Sequence, residues 1–105
     1  MNYIKIKWTH SSENEPNIIY MEVSEIHDEI RRVELFANGK IGYATKQMNY
    51  NGTELSEVPF PSIEKYNNLN EEHSYLEEDE IIAFEITKEE FMKIWNLRNI
   101  DAATK

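Results

Sequence analysis

The sequence contains no cysteine, and only three glycines and three prolines among its 105 residues. The lack of cysteine excludes a disulfide framework, a thiolate metal site and a cysteine nucleophile. With so few glycines a phosphate-binding loop is hard to build, and collagen-like or low-complexity disordered classes are excluded. The longest apolar run is four residues, as in Ile81–Phe84, whereas a membrane-spanning helix needs about 20.

The first residues also lack the apolar core and the small-residue cleavage site of a signal peptide, so we expect a cytoplasmic protein. Hydrophobic residues make up 40 % of the chain and aromatic residues 11 %, which is enough for one core. At this length we expect a single domain over residues 1–105, with a frayed tail from about residue 101.

Positive charge is scarce as well, because 20 Asp and Glu residues oppose 11 Lys and Arg residues, giving a formal net charge of −9. Nucleic acids and anionic membranes should repel such a chain, and its long-range partner should be a basic protein. The acids are concentrated in two stretches without Lys or Arg, residues 71–80 and residues 13–29. Stretches of one sign favour electrostatic steering of a cationic partner.

Alternation of apolar and polar residues predicts the strands. The pattern is clearest over Tyr3–Trp8, where Ile4, Ile6 and Trp8 share one face. A second strand begins after Pro16, a position at which proline is tolerated. The further strands are predicted over residues 17–23, 30–36 and 80–86.

Two Asn-Gly pairs mark tight turns. In a type I′ turn both central residues need a positive φ, which Asn and Gly supply at low steric cost. Asn38-Gly39 therefore predicts a two-residue hairpin loop that places Phe36 opposite Ile41. In that register small residues oppose large aliphatic ones, which leaves room for a helix on that face. Asn51-Gly52 predicts a second, shorter hairpin within residues 47–56.

Two helices are predicted, one after Ser62 to about Glu72 and one after Thr87 to about Arg98. The second opens with a capping box formed by Thr87 and Glu90, and its apolar stripe consists of Phe91, Ile94 and Trp95. The resulting order predicts an α+β domain with a mostly antiparallel, twisted sheet of five to six strands. Both helices are expected on one face of that sheet.

No motif of catalysis or metal binding is present. The two groupings with metal-ligand character are His27 with Glu25 and Asp28, and His73 with Glu71 and Glu72. Neither these histidines nor His10 fall in a zinc signature, and solvated surface is the commoner role of histidine in acidic loops. The carboxylates of residues 77–80 lack an apolar surround for acid–base catalysis, and the serines lack a nucleophile elbow. We therefore expect a protein that is not an enzyme and that binds no metal or cofactor.

Tyrosines beside the acids complete the set of candidate contact residues. Tyr66 and Tyr75 flank acidic residues, which is typical of anchors that face a basic partner. Packing between a helix and the sheet, with the hydroxyl in water, explains them equally well. The predicted contact residues are Tyr66, Glu71, Glu72, Tyr75, Glu77, Glu78, Asp79 and Glu80, with Glu22, Glu25 and Asp28 as a second group.

Several short motifs follow one another along almost the whole chain. They are Tyr3-Ile4-Lys5-Ile6-Lys7-Trp8, Glu15-Pro16, Arg31-x-Val33-Glu34-Leu35-Phe36, Ile41-Gly42-Tyr43-Ala44, Glu57-Val58-Pro59-x-Pro61-Ser62 and Ile86-Thr87-Lys88-Glu89-Glu90-Phe91. In these motifs the sequence resembles a family of small stand-alone bacterial proteins described as a domain of unknown function. Some small acidic bacterial proteins of this kind are immunity proteins of toxin systems, including contact-dependent growth inhibition. The resemblance implies no catalytic residue.

Two functions follow as expectations. The first is an immunity protein that blocks the active-site cleft of a basic toxin domain, most naturally a nuclease, with its acidic residues. The second is a small acidic binding or regulatory module for a small molecule or peptide, in which the charge mainly maintains solubility.

Overall fold

A computed structural model describes residues 1–10, 12–72 and 80–103 of the chain. The strands are β1 (Asn2–Thr9), β2 (Ile18–Val23), β3 (Glu29–Leu35), β4 (Ile41–Ala44), β5 (Asn49–Tyr50) and β6 (Glu80–Ile86). The helices are α1 (Ile63–Glu72), between β5 and β6, and α2 (Lys88–Ala103), after β6. The six strands form one antiparallel sheet of order β5-β4-β3-β2-β1-β6. This sheet and the two helices confirm the predicted α+β class.

The hairpin between β3 and β4 differs from its prediction by one residue. Phe36 pairs with Lys40, and the Gly39 amide donates to the Phe36 carbonyl oxygen (3.0 Å). Gly39 has a φ of +88°, whereas Asn38 is not in the positive-φ region. The loop is thus a three-residue turn that ends in a left-handed glycine, and the predicted type I′ turn is wrong. Because a shift of one residue exchanges the faces of a strand, Val33 lies opposite Tyr43 rather than Ala44.

The second Asn-Gly pair does form a turn with two positive φ values, +56° at Asn51 and +81° at Gly52. The strand before this turn, β5, however, pairs with the preceding strand β4, so that Tyr50 lies opposite Tyr43. Residues 53–56 are described and form no strand, so the predicted second hairpin is wrong. Thr53 is instead buried against Gly42, where a side chain on residue 42 would collide with it.

The two helices cover opposite faces of the sheet, which corrects the prediction that they share one. Alternate residues of β1 enter different cores, Tyr3 on the face of α2 and Ile4 on the face of α1. The first core contains Tyr3, Val33, Tyr43, Ile86, Phe91 and Trp95. The second contains Ile4, Ile6, Ile19, Met21, Val23 and Ala83, with Ile63 and Tyr66 of α1 packed against it. Each face of the sheet therefore carries its own core.

Asparagine side chains complete backbone hydrogen bonds at both edges of the sheet. The side chain of Asn67, in α1, contacts the backbone of Ala83 in the middle of β6. Its Nδ2 donates to the Ala83 carbonyl oxygen (2.9 Å), and its Oδ1 accepts from the Ala83 backbone N–H (2.8 Å). At the other edge, the Asn51 amide donates to the carbonyl oxygen of Ile41 (2.8 Å). These bonds satisfy strand groups that would otherwise face solvent.

Both predicted helix starts are confirmed. The Ser62 hydroxyl accepts a hydrogen bond from the Lys65 amide (3.1 Å), and the Thr87 hydroxyl accepts one from the Glu90 amide (3.1 Å), as expected of N-cap residues. The helix α2 continues to Ala103, beyond the predicted end near residue 98. No Gly or Pro follows the apolar stripe, so nothing in the local sequence terminates the helix there.

Candidate functional site

The first acid-rich stretch is only partly within the described residues. Tyr75, Glu77, Glu78 and Asp79 lie outside them. Of the others, Glu80 is the exposed first residue of β6, and residues 71 and 72 form the end of α1. Glu80 lies at the end of the sheet at which it pairs with Thr9. We call this the acidic end.

Helix electrostatics do not explain the acids at residues 71 and 72. The C-terminus of a helix carries partial negative charge, which acids there oppose and cations relieve, and the last turn of α1 holds no basic residue. By contrast, Glu89 and Glu90 lie in the first turn of α2, where the helix dipole favours acids.

The second acid-rich stretch is divided between the two ends of β2. Glu13 and Glu15 are exposed in the loop before β2, at the acidic end. Glu25 and Asp28 lie in the turn after β2, where Glu25 is exposed and Asp28 is half-buried. Six residues of strand separate the two groups by about 20 Å. The stretch thus contributes to two separate surfaces instead of one.

Glu22 is not at the surface, because only 5 % of it is exposed. Its carboxylate accepts two hydrogen bonds from the Arg31 guanidinium, from Nε (2.7 Å) and Nη2 (2.9 Å), and one from the Tyr3 hydroxyl (2.9 Å). The guanidinium also lies 4.8 Å from the ring centre of Trp95. This arrangement occupies Glu22 within the core under α2 and removes it from the predicted contact residues.

The buried cluster of Tyr3, Glu22 and Arg31 should make stability fall at both extremes of pH. The hydrogen bonds from Arg31 hold the pKa of Glu22 below its ordinary value of 4.5. Burial, together with the hydrogen bond to Glu22, raises the pKa of Tyr3 above 10.0. Stabilisation by Glu22 is therefore present above pH 4.5 and lost as the pH falls through the lowered pKa. Stabilisation by Tyr3 is present below pH 10 and is lost as the pH rises through the raised pKa of Tyr3.

We expect Glu22→Gln to lower the free energy of unfolding at neutral pH, with a difference from wild type that shrinks below pH 4.5. In acid both proteins carry an uncharged side chain at this position. Urea unfolding at a series of pH values measures the difference. A difference that stays constant into acid would contradict this account of the cluster.

Tyr66 packs on the sheet. Its ring centre lies 5.2 Å from that of Phe60, and both residues lie against the core that α1 covers. Its half-buried position agrees with the packing alternative stated for it above.

Two loops on the side opposite the acidic end are held together by hydrogen bonds. The His27 carbonyl oxygen accepts from the Phe60 amide (2.9 Å), and the His27 ring Nδ1–H donates to the Phe60 carbonyl oxygen (2.8 Å). His27 adopts a φ of +70°, which is uncommon for a residue with a side chain. We call residues 24–28 and 56–61 together the loop pair.

The loop pair presents large aliphatic side chains that are sequence neighbours of acids. Ile26 is 75 % exposed and Val58 is 72 % exposed, and each lies within two residues of the His27–Phe60 contact. The neighbouring Glu25 and Glu57 are exposed too, and the Glu25 carboxylate lies 3.7 Å from the terminal ammonium of Met1. Exposed aliphatic residues within an acidic rim are typical of a protein contact surface that receives a basic partner.

Sequence reasoning found the acids of the loop pair at residues 25 and 28 but missed its apolar centre. Ile26 is the single aliphatic residue in a polar turn. Its isolation is the local sequence feature from which the exposure of its side chain could have been predicted. The approach of residue 60 to residue 27 spans 33 positions and has no local signature.

The described residues contain no group of three or more His, Asp and Glu side chains able to hold a metal ion. His10 and His27 both form hydrogen bonds with backbone groups of loops. The His10 Nε2–H donates to the Pro16 carbonyl oxygen (2.8 Å) while its Nδ1 accepts from the Ser12 amide (3.0 Å). His73 lies outside the described residues. In the part of the chain that the structure covers, no helix has the length and apolarity needed to span a membrane.

Comparison with known proteins identifies a family. A family model described as Domain of unknown function (DUF6881) matches residues 2–99, which confirms the resemblance to a family of unknown function. No curated protein and no solved structure matches the chain.

Proposed function

The chain belongs to the DUF6881 family of unknown function, and we propose from its surface that it is an immunity protein. In this proposal it binds a basic toxin domain, most naturally a nuclease, and neutralises it without catalysis. The observation that carries the proposal is the loop pair, in which the exposed residues Ile26 and Val58 each directly follow an exposed glutamate, Glu25 or Glu57.

The loop pair combines the two features that a tight contact with a basic protein requires. Its aliphatic side chains can enter a pocket of the partner and exclude water, which is where most binding energy arises in interfaces. Its carboxylates complement cationic side chains and accelerate encounter. The hydrogen bonds between His27 and Phe60 hold the two loops in place before binding, which reduces the entropy lost on association.

A nuclease suits this surface because its substrate cleft must be cationic to hold phosphate. Acids placed over that cleft would pair with the same side chains and keep nucleic acid out. The net charge of −9 and the acidic end would add long-range attraction. Acids used within the fold cannot contribute in this way, since Glu22 is paired with Arg31, and Glu29 and Glu34 are paired with Arg32.

The test uses the protein encoded next to this chain in its genome, which the proposal expects to carry a basic toxin domain. We expect Glu25→Lys combined with Glu57→Lys to slow association with that domain by about tenfold or more, and to abolish protection of cells that express it. The matched control is Glu13→Lys combined with Glu15→Lys at the acidic end, which changes net charge equally. Association rates are measured at low and moderate salt.

A third variant separates apolar contact from charge. Ile26→Ser combined with Val58→Ser should accelerate dissociation and leave association nearly unchanged, since affinity lost from apolar contacts is lost mainly in the dissociation rate. If the control pair at the acidic end abolishes binding and the loop-pair variants do not, the contact surface is the acidic end, as residues 71–80 were predicted to be. If the wild-type chain neither binds nor protects against the neighbouring domain, the immunity proposal fails.

A further inference from the structure

Among the described side chains, those of α2 pack over one part of its face of the sheet, and Tyr20, Leu35 and Phe84 lie partly buried at the margin of that core. Phe91 and Trp95 pack over Tyr3, Val33 and Tyr43, towards one end of the strands. On the other part, the same face carries side chains that are half-buried or exposed, and Ile82 is 53 % exposed. We call this part the lysine–aromatic face; in strand register it contains Lys5, Lys7, Ile18, Tyr20, Leu35, Ile82 and Phe84.

The charge of this face is opposite to that of the chain. Lys5 and Lys7 lie on it. The nearest acids in register are Glu22, which lies opposite Tyr3 and is already paired with Arg31, and Glu80, at the rim beside Ile82. Among the residues that the structure describes, neither lysine has a carboxylate within ion-pair distance. The chain as a whole has a net charge of −9, so a surface with two lysines is unusual for it. The proposed contact with a basic toxin does not use this surface.

Both ammonium groups lie against aromatic rings. The Lys5 Nζ is 5.2 Å from the ring centre of Tyr20 and 5.9 Å from that of Phe84, and the Lys7 Nζ is 5.8 Å from that of Phe84. Cation–π contacts of this kind hold a lysine in place but leave its hydrogen-bond donors unpaired. They also place a cation over a face of each ring, so a nucleobase would have to displace that lysine to stack there.

We propose that the lysine–aromatic face binds an acidic peptide segment of a second protein, in which aliphatic residues alternate with Asp or Glu. The carboxylates would accept hydrogen bonds from Lys5 and Lys7, and the aliphatic side chains would cover Ile82 and Leu35. This partner differs in charge from the basic toxin, and the site lies on a different surface from the loop pair. The inference therefore stands independently of the immunity function.

The experiment titrates the full chain with a ten-residue peptide of alternating Asp and Leu and follows backbone amide chemical shifts. We expect shifts confined to the strands of the lysine–aromatic face. Lys5→Gln combined with Lys7→Gln should raise the dissociation constant of the peptide about tenfold, because two ion pairs at a partly apolar site are lost. The matched control is Lys65→Gln combined with Lys93→Gln, at exposed lysines on the two helices, and it should bind like wild type.

Ile82→Ser provides a second variant with little risk to the fold, since the side chain is largely exposed, and it should weaken binding as well. An equal loss in the Lys65 and Lys93 control would show unspecific attraction and overturn the proposal. So would tight binding of a uridine oligonucleotide at the same amides, or peptide shifts on other surfaces only.

Discussion

Phe91→Ala is expected to lower the free energy of unfolding by ~3–5 kcal/mol, the usual effect of truncating a buried aromatic side chain. The ring is fully buried. Its centre lies 5.3 Å from that of Tyr3 and 5.0 Å from the guanidinium carbon of Arg31. Truncation would leave a cavity at the contact between α2 and the sheet and would remove a cation–π contact from an arginine that already pairs with Glu22.

Leu97→Ala is the matched control on the same helix. Leu97 is 46 % exposed, so its truncation should cost about 1 kcal/mol or less. Urea unfolding followed by tryptophan fluorescence measures both variants. Equal stabilities would show that α2 is not held to the sheet through Phe91.

The second large effect is expected at Arg32, where Arg32→Met should destabilise the fold by ~3–5 kcal/mol. The guanidinium pairs with the carboxylates of both Glu29 and Glu34, and all three side chains are mostly buried. Glu29 also accepts from the Ser56 amide (3.1 Å), and Glu34 accepts from the Thr53 hydroxyl (2.8 Å). Removing the cation would leave two buried negative charges and weaken the attachment of residues 53–56 to the sheet.

A neutral replacement of the whole group provides the test of this cause. Arg32→Met combined with Glu29→Gln and Glu34→Gln removes the uncompensated charge, so it should recover a large part of the stability lost in the single variant. If the triple variant is less stable than Arg32→Met alone, the loss does not come from unpaired carboxylates.

A bulge in β3 explains why Glu29 and Arg32 can meet. In a regular strand residues three apart point to opposite faces, but Val23 pairs with Glu29 while Glu22 pairs with Arg31, which leaves Ile30 extra. The extra residue turns Glu29 onto the face of Arg32. The sequence predicts a strand here from alternation, but the bulge depends on pairing with β2 and has no local pattern.

The same distinction separates what was predictable in the fold from what was not. Local chemistry was sufficient for the strand Glu80–Ile86 and for the caps at Ser62 and Thr87. It was insufficient for the register of β3 with β4, because an Asn-Gly pair fits both a two-residue loop and a three-residue loop that ends in glycine. The side of the sheet taken by α1 was equally hidden, since Tyr3 and Ile4 are both apolar enough to be buried.

At the candidate site, composition identified acids but not their surroundings. Glu22 and Glu25 are three residues apart and chemically alike, yet one is paired inside the core and the other is exposed in a turn. Only the position of Arg31 across the strand pair distinguishes them. Charge counts therefore predicted an acidic surface, and the tertiary structure shows which of these two acids is exposed on it.

The amide of Asn67 has a consequence for how the protein behaves at high concentration. An outer strand with free backbone groups can recruit the strand of another molecule and start a fibril. Asn67 takes both the amide and the carbonyl oxygen of Ala83, so an incoming chain finds the centre of β6 occupied. The molecule can thus reach high concentration without polymerising along that edge.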